Sequence, residues 1–226
     1  MPGTQPIEIQ KIQATWLREW HRYMVNSYAM DCIDSLEVGC GSGCVMRNLE
    51  DLVKVRGIDI DLEQVDLARD RGLVVDRGDA ADLDYPDGSF DLVYSSFFLM
   101  WVPNPDEVID EMIRVSRRKV MFLSEPIWSR SIFSPHSLKG LVDAEIDVIS
   151  KEEGDPDSGL ALLRLLGERN LTYRFGTVPM DTTKVELSRF LEFERSYLST
   201  KGRSVRIREP EFFHVPFIWA AVNLSG

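Results

Sequence analysis

Leu36-Glu37-Val38-Gly39-Cys40-Gly41-Ser42-Gly43 is the stretch on which the reading of this chain turns. It follows an apolar entry at Ile33 and precedes a helix-like run over residues 45–52. A strand, a glycine turn and a helix in that order form a nucleotide-binding corner. Glycines have no Cβ, so the chain can turn sharply there and a ligand can lie against bare backbone. The helix that follows offers free N–H groups and the positive end of its dipole.

Working outward from that corner, apolar runs and helical periods alternate. Strands are expected at residues 36–38, 53–60, 73–75, 90–95 and 119–124. Between them lie helices at 63–71, with Asp61 as a plausible N-cap, and at 105–117, with Pro105 in the first turn. The turn Pro86-Asp87-Gly88-Ser89 enters the fourth strand, and Glu125-Pro126 stops the fifth. This alternation implies parallel β-α-β units and an α/β fold. Ligands of open α/β sheets bind beyond the carboxyl ends of the strands. Later regions are less regular. Residues 127–159 read as an insertion or lid over that edge. A helix at 160–169, a strand at 171–178, a helix at 187–198 and a last, antiparallel strand at 212–224 follow. Residues 7–30 carry apolar side chains at helical spacing, including Trp16, Trp20, Tyr23 and Tyr28. They read as a helix within an N-terminal cap, residues 1–31, that either packs on the core or covers a ligand.

The bulk numbers set limits. A chain of 226 residues, 44% hydrophobic and 28% charged, is long enough for one α/β domain with a sizeable core. A formal net charge of −11 argues against a broad phosphate-binding face, so nucleic acid is not an expected partner. Arg117-Arg118-Lys119 and the basic run over residues 201–208 read as solvated ends. Three cysteines, Cys32, Cys40 and Cys44, form an odd and sparse set, expected to be loop and packing residues with no metal. No secretory leader and no apolar run of the ~18 residues needed for a membrane span are read, so a cytoplasmic location is expected.

The glycine corner departs from phosphate-binding patterns. In G-x-G-x-x-G the third glycine allows close helix-to-strand packing. Counting from Gly39, that position is Cys44, and the third glycine is Gly43, one place early. Glu37 stands two residues before the first glycine, where a carboxylate opposes a pyrophosphate but attracts an ammonium or sulfonium. No Gly-Lys-Ser/Thr follows, so a P-loop is absent.

In this context Glu37-Val38-Gly39-Cys40-Gly41-Ser42-Gly43 resembles the first motif of class I S-adenosylmethionine-dependent methyltransferases, of the small-molecule, type 11-like kind. The resemblance extends over residues 35–124. Gly57-Ile58-Asp59-Ile60-Asp61 is similar to the family's second-strand end. There Asp59 would accept from both ribose hydroxyls, as one carboxylate can, and Ile60 would pack on the adenine. Asp59 capping the next helix is the plainer alternative. Gly78-Asp79-Ala80 resembles the third loop, with Asp79 accepting from the adenine amino group and the Ala80 N–H donating to a ring nitrogen; a turn acid is the alternative for Asp79. The run Tyr85-Pro86-Asp87-Gly88-Ser89-Phe90-Asp91-Leu92-Val93 resembles the entry to the fourth strand. Ser95 and Ser96 then fall where cofactor and acceptor meet in the family.

The resemblance implies a Rossmann-like, mostly parallel seven-stranded sheet with helices on both faces, residues 1–226 forming a single methyltransferase domain. It implies S-adenosylmethionine as cofactor and S-adenosylhomocysteine as product. Cofactor contacts are expected from Glu37, Gly39, Cys40, Gly41, Gly43, Asp59, Ile60, Asp79, Ala80 and Ser95, with Tyr23 or Arg22 of the first helix near the cofactor's carboxylate. Two departures stand out. Ser116-Arg117-Arg118-Lys119 replaces the Lys-Pro-Gly-Gly of many relatives. Ser95-Ser96-Phe97-Phe98 replaces the Asn/Asp-Pro-Pro-Tyr of enzymes acting on amino groups of bases or glutamine.

The implied chemistry is in-line methyl transfer, in which orientation and exclusion of water supply much of the rate. A base is needed only for an acceptor that carries a proton at neutral pH. Glu125 and His136 are the candidates; each of the three histidines, His21, His136 and His214, can also be read as a packed residue, and His214 is read as structural. The insertion and the aromatic first helix point to a small, partly apolar acceptor, with a protein substrate as the alternative if the cofactor mouth is open and flat. Two other classes stay open: an NAD-dependent oxidoreductase, and a non-catalytic adenosylmethionine-binding partner protein.

Overall fold

Phe90–Ser95 (β4) is buried at every position, as a strand covered on both faces must be. In this computed structural model, which describes residues 7–179, 184–205 and 211–224, β4 runs parallel to Asp34–Val38 (β1) on one side and to Ser116–Pro126 (β5) on the other. Lys54–Asp59 (β2) and Val75–Arg77 (β3) extend the sheet beyond β1. Thr172–Thr177 (β7) and Phe217–Asn223 (β9) complete it, in the order β3-β2-β1-β4-β5-β9-β7. β9 is antiparallel to both β5 and β7, so it is the one reversed strand and sits inside the sheet rather than at its edge. Chain order reverses between β1 and β4, which opens a crevice at the carboxyl ends of those strands.

Helices cover both faces. Pro105–Val115 (α5) begins with its proline at the first helical turn and buries Val108, Ile109, Met112 and Val115. That stripe packs with Leu162, Leu165 and Leu166 of Ser158–Gly167 (α7) against Val93, Val120 and Phe122. On the opposite face Trp20, Met24, Leu49, Leu141 and Leu198 meet Tyr94, Met121 and Leu123.

Several boundaries differ from the sequence reading. The N-terminal segment is two helices, Ile7–Trp16 (α1) and Arg18–Tyr28 (α2), with Leu17 bent to φ −95° and ψ 9° between them. The helix after the glycine corner is a single turn, Met46–Leu49 (α3), because the chain doubles back to bury Val53. The third strand starts at Val75 instead of residue 73; the Leu73 N–H closes the preceding helix, Leu62–Asp70 (α4), on Ala68 O. β5 does not stop before Glu125-Pro126 but runs through both, since β9 supplies partners Ile218 and Phe217 there. The segment over 212–224 divides at Pro216, which has no N–H. Phe212–His214 (β8) leaves the main sheet and pairs with Ile132–Ser134 (β6). The insertion contains a helix that the sequence reading missed, Lys139–Lys151 (α6), with Leu141, Val142, Glu145, Val148 and Ile149 on its buried side. Lys184–Thr200 (α8) follows β7 and packs against α6.

Ile109 is fully buried between α5 and the sheet. Ile109→Ala should lower the unfolding free energy by about 2–5 kcal/mol, read from urea denaturation, because the rigid strands behind it cannot close the cavity.

Candidate functional site

The crevice is built on the turn after β1. Gly39 N and Cys40 N both donate to Ile58 O at the end of β2, at 2.9 and 3.1 Å. Gly39 has φ +68°, and a Cβ there would fall 2.0 Å from the Phe98 ring. Only glycine therefore lets the segment after β4 close against the loop. Gly41 N donates to Asp59 Oδ2 at 2.7 Å, and Asp61 N donates to Asp59 Oδ1 at 3.0 Å. One carboxylate thus ties the glycine loop to the β2–α4 turn. Asp61 caps α4 by accepting from Glu63 N at 2.9 Å.

Two cavities meet over this turn. The first, about 190 Å³, is lined by Glu37, Gly39, Cys40, Gly41, Asp59, Ile60 and Ser96, roofed by Gln10, Gln13, Ala14 and His21 of α1 and α2. The second, about 300 Å³, is lined by Asp79, Ala80 and neighbours. Gly39, Asp59, Ile60, Phe98 and Trp101 belong to both. The structure thus brings Glu37, Gly39, Cys40, Gly41, Asp59, Ile60, Asp79 and Ala80 around one two-lobed cleft.

Other expected positions lie elsewhere. Gly43 sits under the loop; a Cβ there would meet Leu73 Cδ1 at 2.2 Å, so its role is packing. Ser95 is fully buried on the far side of its strand, its Oγ without a partner, and Ser96 faces the cleft in its place. This follows from the alternation of side chains along a strand. Tyr23 is 53% exposed and stacks on Trp20 at 5.5 Å, outside the cleft. It stands two residues from His21, about 200° round the helix, so the turn that aims His21 inward aims Tyr23 out. Arg22 is held by Asp51 and by Asn48 O.

Neither candidate base lines the cleft. Glu125 is fully buried; its Oε1 accepts from Phe98 N and Leu99 N, each at 3.2 Å, and its Oε2 accepts from Ser158 Oγ at 2.9 Å. It props the segment that carries Phe98, and burial raises its pKa to about 7. His136 lies in a short turn beside Phe133, at 6.4 Å between ring centres.

Two residues not expected at the site are central to it. Gln10 Oε1 accepts from Ser42 N at 2.9 Å and Ser42 Oγ at 2.7 Å, while its Nε2 donates to Gln64 Oε1 at 2.8 Å. These bonds strap α1 across the glycine loop. His21 is fully buried, and burial lowers its pKa to about 3, so the ring is neutral. Asn48 Nδ2 donates to Ala14 O at 2.7 Å and to His21 Nδ1 at 3.2 Å. The Ala14 carbonyl fixes the orientation of the amide, so His21 Nδ1 accepts and the ring proton resides on Nε2, 3.5 Å from Ser96 Oγ. His21 is thus a donor toward the cleft, not a free base. The signal for both residues was the helical spacing of α1 and α2 alone; no local motif marks them. Among the described residues, no group of three or more His, Cys, Asp or Glu is placed to hold a metal ion.

Electrostatics at the cleft are dominated by desolvation. Glu37 is 2% exposed, and burial raises its pKa to about 8 against one hydrogen bond from Tyr94 Oη at 3.0 Å. Burial also raises Asp59, opposed by the backbone N–H groups that point at it. A carboxyl whose folded pKa is raised favours the folded state below its ordinary value, near 4.5 for Glu37, and that contribution is lost as pH rises through about 8. Glu37→Gln should therefore flatten the decline of stability over this window, by up to about 1.4 kcal/mol per pH unit. Urea midpoints of the ligand-free protein at several pH values read the effect; parallel curves for the two proteins would contradict it.

Residues 36–123 match the family described as methyltransferase domain. Phosphatidylethanolamine N-methyltransferase of Cereibacter sphaeroides is 40% identical over 93 residues, which are 37% of this chain and 45% of that protein. The ubiquinone/menaquinone biosynthesis C-methyltransferase of Stenotrophomonas maltophilia is 32% identical over 143 residues, covering 54% of this chain and 56% of its own length. The chain thus spans about half the length of these curated relatives. Among solved structures, a SAM-dependent methyltransferase of Thermotoga maritima, described as a possible histamine N-methyltransferase, superposes with a TM-score of 0.62 at 15% identity over 97% of this chain and 94% of its own. The segment that matches the methyltransferase-domain family carries the glycine corner, Asp59 and Asp79, and the fold as a whole is that of the superposed S-adenosylmethionine-dependent methyltransferase.

Proposed function

We propose that this protein transfers a methyl group from S-adenosylmethionine to a small-molecule acceptor. The observation that carries the reading is the two-lobed cleft divided at Asp59, with Glu37 and the glycine loop in one lobe and Asp79 and Ala80 in the other. Each feature suits one part of the cofactor. Glu37, neutral when buried alone, ionises against the ammonium of the methionine end. Each oxygen of Asp59 accepts one backbone N–H and keeps a lone pair for a ribose hydroxyl. Asp79 accepts from Ala81 N through Oδ1 at 2.9 Å, leaving Oδ2 for the adenine amino group. Ile60, 47% exposed, offers an apolar face to the ring.

Bound in this way, the cofactor supplies an electrophilic methyl carbon: an acceptor lone pair bonds to it while the C–S bond breaks and its electron pair stays on sulfur. The chain's own contribution is position and dryness. Gln10, Gln13 and His21 close the cleft from above, Phe98 closes it from the side, and Ser96 Oγ, bonded to Ser124 Oγ at 2.7 Å, offers a polar contact near the methyl. Since Glu125 is engaged by backbone N–H groups and the Nε2 of His21 carries its proton, acceptors that need no strong base fit best. The relatives named above are an N- and a C-methyltransferase of small molecules. No described helix is long and apolar enough to cross a membrane; with this reading goes a cytoplasmic enzyme.

Calorimetry against S-adenosylmethionine, S-adenosylhomocysteine and NAD tests the reading; binding of NAD alone would assign the cleft to a dehydrogenase, and tight S-adenosylmethionine binding without turnover on any acceptor to a partner protein. Asp59→Ala should weaken S-adenosylhomocysteine by about 2–4 kcal/mol. Unchanged affinity in a folded variant would remove the ribose role of Asp59.

A further inference from the structure

A smaller cavity adjoins the cleft and has no part in the cofactor reading. It measures about 40 Å³ and shares Gln13, Phe97 and Trp101 with the first lobe. Its walls are aromatic: Phe97, Trp101, Trp128, Tyr197 and Phe217, with Phe97 standing edge-on to Phe217 at 5.1 Å. Two carboxylates also line it, Glu145 of α6 at 2% exposure and Glu194 of α8 at 6%.

These two acids share a side-chain hydrogen bond. Glu145 Oε1 is buried with no partner. Neither residue forms an ion pair with Lys, Arg or His among the described residues. Buried acids are otherwise found paired, and an orphaned carboxyl oxygen in an apolar wall is costly. Burial raises both groups, Glu145 further because Glu194 repels its charge; Glu194 lies at about 7. Above about 7 the pair therefore carries the charge of Glu194, while Glu145 keeps its proton to higher pH. Aromatic rings line the same cavity, and ring faces attract a cation; that of Tyr197 already lies under Lys201 Nζ at 5.5 Å.

We propose that this cavity recognises the acceptor, and that the acceptor is an amine whose ammonium head seats between Glu145, Glu194 and the aromatic walls. A cavity of this size admits an ammonium or N-methylammonium group. The rest of the molecule extends past Gln13, Phe97 and Trp101 toward the cleft. An ammonium there offsets the negative charge of the pair and is surrounded by aromatic side chains. An alcohol of the same shape supplies one hydrogen bond and no charge, and a carboxylate is repelled. The inference rests on the methyltransferase reading for its purpose, though not for its chemistry.

The test is calorimetry at pH 8 with S-adenosylhomocysteine saturating, titrating benzylamine and butylamine against benzyl alcohol and butanol. The amines should bind at least about tenfold more tightly than their alcohols. The double variant Glu145→Gln/Glu194→Gln, which keeps shape and hydrogen bonding but removes the charge, should abolish that preference and leave S-adenosylhomocysteine affinity within about twofold. Equal binding of amines and alcohols, no binding of either amine, or a preference retained in the variant would each overturn the proposal. Should the variant fail to fold, the comparison in the unaltered protein decides alone. Loss of the methyltransferase reading would show separately, as absence of S-adenosylhomocysteine binding, while amine titrations without it still report on the cavity.

Discussion

The carboxylate of Asp59 holds the site together. It lies at the carboxyl end of β2, receives Gly41 N from the loop after β1 and Asp61 N from the turn into α4, and forms the ridge between the two lobes of the cleft. Parallel strands bring the ends of β1 and β2 level through the register Val38↔Ile58. The glycine loop can then reach Asp59 only because Gly39 leaves room for the Phe98 ring and Gly41 holds φ +51°. Removing any of these features would alter the conformation of the loop as well as the shape of the cleft. The bonds of Asp59 therefore fix both the conformation of the loop and the shape of the cleft.

Buried acids recur around this centre. Glu37, Asp59, Glu125, Glu145 and Glu194 all have raised pKa values, with desolvation the first cause in each. In a chain of net charge −11, surface acids alone would account for solubility. Acids placed inside without cations do something different: they are stable when neutral or when a cation arrives. Glu125 resolves its burden with two backbone N–H groups and a hydroxyl. Glu37 has one phenol, and Glu145 has an oxygen with nothing. The least satisfied of these acids stand at cavities, which is where positive ligand groups would find them.

Much of the architecture was legible because its signals are local. The centre of β4 shows as the apolar run Leu92-Val93-Tyr94, and the α5 stripe shows as helical spacing after Asn104-Pro105. Asp61 caps α4 as its position before an amphipathic run suggests. The errors share one cause, dependence on distant partners. α6 was hidden because its polar neighbours masked a short stripe; the bend at Leu17, the split at Pro216 and the extension of β5 were set by what each segment packs against. Tyr23 and His21 show the same limit at the site: both lie on one helix, and only the docking of that helix decides which faces the cleft.

The sequence by itself determined the parallel α/β order, the glycine corner, and the acids at Glu37, Asp59 and Asp79, since each depends on residues near one another in the chain or on strand ends that a parallel sheet must align. Tertiary structure decided the rest. It took Ser95, Tyr23, Glu125 and His136 away from the cleft, brought Gln10, His21 and Ser96 to it, and set Glu145 beside Glu194 across two helices. Those outcomes depend on the angle at which helices dock on the sheet, and that angle is fixed by the packing of many side chains at once rather than by any residue's neighbours in sequence.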